Sequence, residues 1–151
     1  MGSENSTWAT LRDKLKNHRN VRMTRNEDKF DVGKPDVTFG IRLTEFNKVT
    51  GFIELKYLER WPPRAPIVKI KHYTQAQKDW LFDQGETGGC CFLFVQVGKE
   101  YFLFDYKQAQ HIGSVPKDWW YKHNAAHWPQ LMGLHALPLL VRIVSSKTED
   151  I

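Results

Sequence analysis

Cysteine is scarce: the chain has two in 151 residues, Cys90 and Cys91, and they are adjacent. Adjacent thiols match neither a disulfide framework nor a zinc knuckle, and the apolar run after them predicts buried, reduced side chains. Also missing is any apolar stretch long enough to cross a bilayer, and the N-terminus lacks the basic and apolar regions of a signal peptide. The expectation is an intracellular protein with no membrane partner. No internal repeat or low-complexity tract stands out. No helix-turn-helix or zinc finger offers direct base readout. His123 and His127 have the i, i+4 spacing of zinc-binding helices, but Asn-Ala-Ala between them lacks the glutamate of a metallopeptidase motif, which sets zinc aside.

What is present suits one domain over residues 1–151. Apolar residues make up 41% and charged residues 26%, ordinary for a soluble globular chain large enough to bury a core. A formal net charge of +5 and a pI near 9.2 favour an anionic partner, nucleic acid being the simplest, although many soluble proteins are mildly basic.

The richest stretch is Gly33 to Lys56. Val37, Phe39, Ile41 and Leu43 alternate with Thr38, Gly40, Arg42 and Thr44, the period of a strand. Glu45 to Gly51 is polar and suits a hairpin connection, with Phe52 to Tyr57 returning. Glu54 and Lys56 leave the returning strand on one face, and the hairpin can bring Asp36 beside Glu54. Two carboxylates and a lysine suit a hard divalent cation held by oxygen ligands next to a phosphate or water. The same residues also suit a solvated hairpin, but here the charges interrupt an apolar strand.

Pro35-Asp36, followed after seventeen residues by Glu54-Leu55-Lys56, resembles the PD-(D/E)xK nuclease superfamily. With Arg25-Asn26-Glu27, Gly33-Lys34-Pro35-Asp36-Val37 and Phe52-Ile53 included, the chain is most similar to the virus-type replication-repair nucleases encoded by many phages. Archaeal-type Holliday-junction resolvases are more distant. The resemblance covers roughly the first two-thirds of the chain, to about Tyr106. It implies a restriction-endonuclease-like α/β fold, a central mixed sheet flanked by helices, with a core over about 6–106 and a C-terminal appendage over about 107–151. It also implies Mg²⁺ or Mn²⁺ held by Asp36, Glu54 and the Leu55 carbonyl, with Lys56 orienting or deprotonating the attacking water. Glu27 is the candidate third carboxylate, able to hold a second metal; Glu4, Asp13 and Asp31 are weaker options. Gln77, on the helix after the ExK strand, would help position water or phosphate, although a capping box with Thr74 explains it without chemistry.

Elsewhere, Ser6 or Thr7 can cap a first helix with Trp8, Leu11 and Leu15 on one face, after a loose Met1 to Asn5. Its basic end, from Lys14 to Arg22, can meet phosphates or complement the helix dipole. Val21 to Arg25 reads as a short strand. Prolines 62, 63 and 66 predict an irregular excursion, in which Arg60, Arg64, Lys69 and Lys71 with Trp61 form a candidate strand-binding rim. Cys91 to Val97 and Tyr101 to Tyr106 read as paired core strands. Pro116 to Tyr121 starts a helix whose aromatics can pack, stack on bases or form a dimer surface. Gly133 to Val144 fits a helix or a strand.

The expected function is metal-dependent DNA cleavage on branched, junction-type DNA by a symmetric homodimer in phage replication or recombination. A flap, single-strand or nicking nuclease is the alternative within the fold. A non-catalytic nucleic-acid-binding module, or an interaction protein using the aromatic C-terminal region, is the alternative outside it.

Overall fold

A computed structural model of the chain describes residues 2–27, 32–42, 44–130, 133, 134, 137, 138 and 141. Asp31, Leu43 and most of the 133–144 stretch therefore lie outside the described residues. The architecture is α/β: one six-stranded mixed sheet with helices against it.

Helix α1 runs Glu4–Leu15. Its start differs from the expected cap at Ser6 or Thr7. Ser3 is the N-cap, its Oγ accepting from the Ser6 amide at 3.2 Å while the Ser6 hydroxyl accepts from the Ser3 amide at 2.7 Å. This reciprocal box satisfies two amides that would otherwise be orphans, so Glu4 and Asn5, expected to be loose, are helical. Thr7 is buried instead of capping; its hydroxyl donates to the Gln96 amide oxygen at 2.8 Å.

Strands β1 (Val21–Arg25), β2 (Val37–Arg42) and β3 (Lys48–Leu58) form an antiparallel meander. β3 starts earlier than Phe52, because Val49 and Gly51 continue the period-2 pattern of Ile53 and Leu55 back to the turn at Thr44–Asn47. Helix α2 (Gln75–Glu86) then carries the chain to β4 (Cys90–Val97), parallel to β3, as a parallel pair requires a crossover. β5 (Glu100–Asp105) returns antiparallel across the Gly98 turn. After helix α3 (Lys117–Lys122), strand β6 (Ala126–Trp128) pairs with β5. The stretch expected as an appendage thus completes the sheet, and Trp120 is wholly buried in the core.

Alternation splits the strands' side chains between two apolar layers. Val37, Phe39, Ile41, Ile53, Leu55, Phe92 and Phe94 pack with Leu11 and Leu15 of α1. On the other face Leu93, Val95, Phe102 and Phe104 pack with Leu81 of α2 and Trp120. In the aromatic cluster beyond residue 115, Trp120 is packing, meeting Trp61, Phe102 and Phe104 edge-on at 5.1–5.3 Å between centroids, while Tyr121 is exposed. Cys91 is buried as expected, and burial pushes its thiol up to about 12. No helix among the described residues is long and apolar enough to cross a membrane.

Candidate active site

The site lies where β3 outruns its neighbour. β2 pairs with β3 only from Lys48 to Ile53, whereas β4 pairs with it from Gly51 to Leu58. Beyond Ile53 the side of β3 that faced β2 is free, and the chain just before β2 supplies a side chain in its place. Continuing the register one step past Val37↔Ile53 sets Asp36 opposite Glu54. Asp36 Oδ2 accepts from the Leu55 amide at 3.0 Å, so the carboxylate takes a ladder bond that the missing strand would have made.

The turn carrying Asp36 is held from two sides. Asn26, just past β1, donates through Nδ2 to the Pro35 carbonyl at 3.1 Å and exchanges hydrogen-bond contacts with the Thr38 hydroxyl, at 2.8 Å from Nδ2 and 3.1 Å from Oδ1, while its backbone N–H donates to the Asp36 carbonyl. Gly33, with φ of +86°, lies against the first turn of α2. A Cβ there would come within 2.5 Å of the Ala76 carbonyl oxygen, so both the backbone angle and the space demand glycine.

Among the described residues, Glu54 and Lys56 are the acid and the base sealed inside the fold, at 1% and 2% exposure. Lys56 Nζ donates to the His72 carbonyl at 2.9 Å and lies 3.4 Å from Glu4 Oε1 and 3.9 Å from Glu54 Oε1. His72 reaches this position in a left-handed conformation, φ 67°, a few residues before α2. Glu54 Oε2 is buried with no hydrogen-bond partner among the described residues. Burial raises the Glu54 pKa to about 10; the neighbouring Asp36 adds to the rise, and Lys56 opposes it only in part. Two ionised carboxylates cannot bond to each other, whereas a proton on Glu54 turns the Asp36 contact into a hydrogen bond. Tyr73 borders the same pocket: burial and then the Glu54 charge push its phenol upward, and its hydroxyl donates to the Ala109 carbonyl at 2.9 Å.

The other expected site residues divide. Gln77 sits at the third position of α2 and completes the capping box, its Oε1 accepting from the Thr74 amide at 2.9 Å. Its amide NH₂ is left without a partner among the described residues, on the helix turn against which Gly33 packs. Glu27 is exposed and makes no hydrogen bond or ion pair with Asp36, Glu54 or Lys56. Glu4, from the first helix, is the third acid that reaches the group. Asp13 instead lies beside Arg12 on the surface of α1. Arg60, Arg64, Lys69 and Lys71 are all exposed, and buried Val68 and Ile70 pin the last two outward. Trp61, expected in that rim, is packed against Phe102, Trp120 and Tyr121, and donates to Glu100 at 3.0 Å. Its indole ring is more stable in that aromatic layer than in water.

Asn26, His72 and Tyr73 contribute here without having been singled out from the sequence. Asn26 lay within the quoted Arg25-Asn26-Glu27, where attention went to the neighbouring acid. His72 acts through its backbone, which leaves no side-chain signal.

An Asp–Glu pair with an orphaned oxygen is the donor set that a hard divalent cation satisfies, and such a charge would return Glu54 to its ionised form. Among the described residues no three His, Cys, Asp or Glu side chains close around one point, so a cation here would rest on two carboxylates plus backbone oxygen or water. No family model matches the chain, and no curated protein matches it.

Proposed function

We propose that the protein is a metal-dependent DNA endonuclease of restriction-endonuclease-like fold. The observation that carries the reading is the Asp36–Glu54–Lys56 group at the unpaired edge of β3, half-buried Asp36 beside sealed Glu54 and Lys56: an acid pair with one unsatisfied oxygen and an amine beside it. Burying an ionised carboxylate costs several kcal/mol; Glu54 avoids that cost by holding a proton, and a bound cation would offset it with the carboxylate ionised.

Asp36, Glu54 and the Leu55 carbonyl would hold Mg²⁺ or Mn²⁺. When bound, the cation polarises a phosphate oxygen and lowers the pKa of water. The chain's own residues do the rest. Lys56, fixed by the His72 carbonyl, orients the attacking water and offsets charge developing on the phosphate. The Gln77 amide donates to a phosphate oxygen. Glu4 keeps the Lys56 amine turned toward the site. Lys71, next to His72, gives the incoming strand a cation at the rim.

The substrate in this reading is branched DNA, cut by a homodimer. The test incubates purified protein with a labelled four-way junction, a flap, duplex and single-stranded DNA, each with Mg²⁺, Mn²⁺ or EDTA, beside Lys56→Ala. Paired, symmetric nicks in the junction that vanish with EDTA or with the variant are expected. Cleavage confined to the flap or single strand would move the substrate and keep the chemistry. No metal-dependent cleavage of any of them would make the chain a binding module.

A further inference from the structure

At the opposite end of the β2–β3 hairpin is a cleft of about 300 Å³ lined by Arg19, Arg22, Arg42 and Lys48 around Gly40 and Thr50. No acidic side chain lines it, and none of the four cations makes an ion pair among the described residues. Arg42 and Lys48 are direct cross-strand partners, and Arg22, Gly40 and Thr50 stand in register across the three strands. Like charges placed opposite each other destabilise a sheet unless an anion sits between them. Gly40 forms the floor: a Cβ there would meet nothing within 4 Å, so the hollow above it is open space.

Strand alternation decides which way this cleft looks. Arg22, Gly40, Arg42, Lys48 and Thr50 share a face of the sheet with Thr38, Phe52 and Glu54, the face away from α1. Over β1 to β3 that face is largely uncovered, with Arg22, Thr24, Arg42, Lys48 and Thr50 all exposed. The turn between Arg42 and Lys48 presents Phe46 with its side chain 94% exposed. Gly40 is four positions along β2 from Asp36, roughly 13 Å at about 3.3 Å per residue. That is about four nucleotides of rise along one strand of a B-form duplex.

We propose that this cleft is a second nucleic-acid site, separate from the carboxylates, that grips the phosphodiester backbone of an unpaired strand while Phe46 stacks on one of its bases. Four cations are more than one free phosphate requires, and an exposed ring on the turn that leads into Lys48 suits a base with an open face. Binding at the cleft needs no cation at Asp36 and Glu54. Only its service to cleavage, as a hold on the strand leading into the site, rests on the nuclease reading.

The experiment measures anisotropy of a fluorescein-labelled single-stranded oligonucleotide and of the same sequence as duplex, in EDTA, across a salt series. It compares wild type with Arg22→Ala/Arg42→Ala/Lys48→Ala, with Gly40→Asp and with Phe46→Ala. Circular dichroism confirms that each folds; Gly40→Asp adds a carboxylate where there is room for one. The triple variant is expected to lose at least about tenfold in affinity, and its log–log salt slope to fall by about two to three. Gly40→Asp should weaken binding similarly, and Phe46→Ala should weaken the single strand about fivefold or more while sparing the duplex. Unchanged affinity and slope in the triple variant and in Gly40→Asp overturn the proposal. So does inorganic phosphate that occupies the cleft at low concentration without oligonucleotide competing. Loss of binding in the variants with no cleavage by wild type keeps the cleft and sinks the nuclease; cleavage and binding unaffected by the variants do the reverse.

Discussion

The two ends of the β2–β3 hairpin carry charge in opposite ways. At one end Glu54 and Lys56 sit in a dry corner beside half-buried Asp36, with Asp36 held by the Leu55 amide and Lys56 by the His72 carbonyl. At the other, Arg22, Arg42 and Lys48 stand in water with no partner. Water is the difference. In the dry corner a charge is worth kilocalories and its loss is felt by every neighbour, whereas at the wet end each charge is screened within about 10 Å at 0.1 M salt. In the proposed reading, chemistry belongs to the first environment and reversible strand holding to the second.

The largest effect expected from breaking this contrast is at the dry end. Asp36→Asn, Glu54→Gln and Lys56→Ala should each lower metal-dependent cleavage by about 10²–10³ or more, read as single-turnover rate, while oligonucleotide binding in EDTA stays near wild type. A retained rate in Lys56→Ala would show that the buried amine is structural. Next comes Asn26→Ala, which releases the Pro35 carbonyl and so loosens Asp36. Cleavage should drop about tenfold with the KM for DNA little changed, the pattern of a mispositioned group. At the wet end, removing any one of Arg22, Arg42 or Lys48 should weaken binding by only a few-fold at moderate salt, and the loss should shrink as salt rises. A salt-independent loss would mean that the cleft is drier than its exposure implies.

One further effect has the opposite sign. Glu54 has its pKa raised to about 10 by burial, so in EDTA the folded protein holds a proton that the unfolded chain releases near 4.5. That group's contribution to stability is complete below pH 4.5 and is lost progressively as pH rises toward 10. Glu54→Gln has no proton to lose. In EDTA at pH 8 it should melt above wild type, by calorimetry or circular dichroism, and the gap should close as pH falls to 5. Mg²⁺ should stabilise wild type and leave the variant unmoved.

Much of this was readable from the chain because it is local or periodic. The β2–β3 hairpin is a period-2 pattern around a polar turn, and its register alone brings Asp36 to Glu54. The Thr74–Gln77 box is a four-residue signal. What escaped depends on contacts between segments distant in sequence. β6 is three residues, too short for a pattern, and exists because the edge of β5 is there to receive it. The position of Glu4 beside Lys56 turns on where α1 begins, and that turned on a Ser3 cap three residues before the expected Ser6. Trp61 has the composition of a rim residue and the environment of a core residue. The row of Arg22, Gly40 and Thr50 becomes a row only once three strands are aligned.

The bond from the Leu55 amide to Asp36 Oδ2 has a use beyond architecture. That N–H has a carboxylate, not a neighbouring strand, as its acceptor on the open side of β3. Its proton chemical shift and exchange rate therefore track what Asp36 is doing. Anything that draws the carboxylate away releases the Leu55 proton, with no probe attached and no turnover required. In a ¹⁵N-labelled sample that single cross-peak is a built-in gauge of occupancy at the site. Titrated with Mg²⁺, Mn²⁺ or Ca²⁺ in turn, it would rank the cations by affinity before any DNA is added.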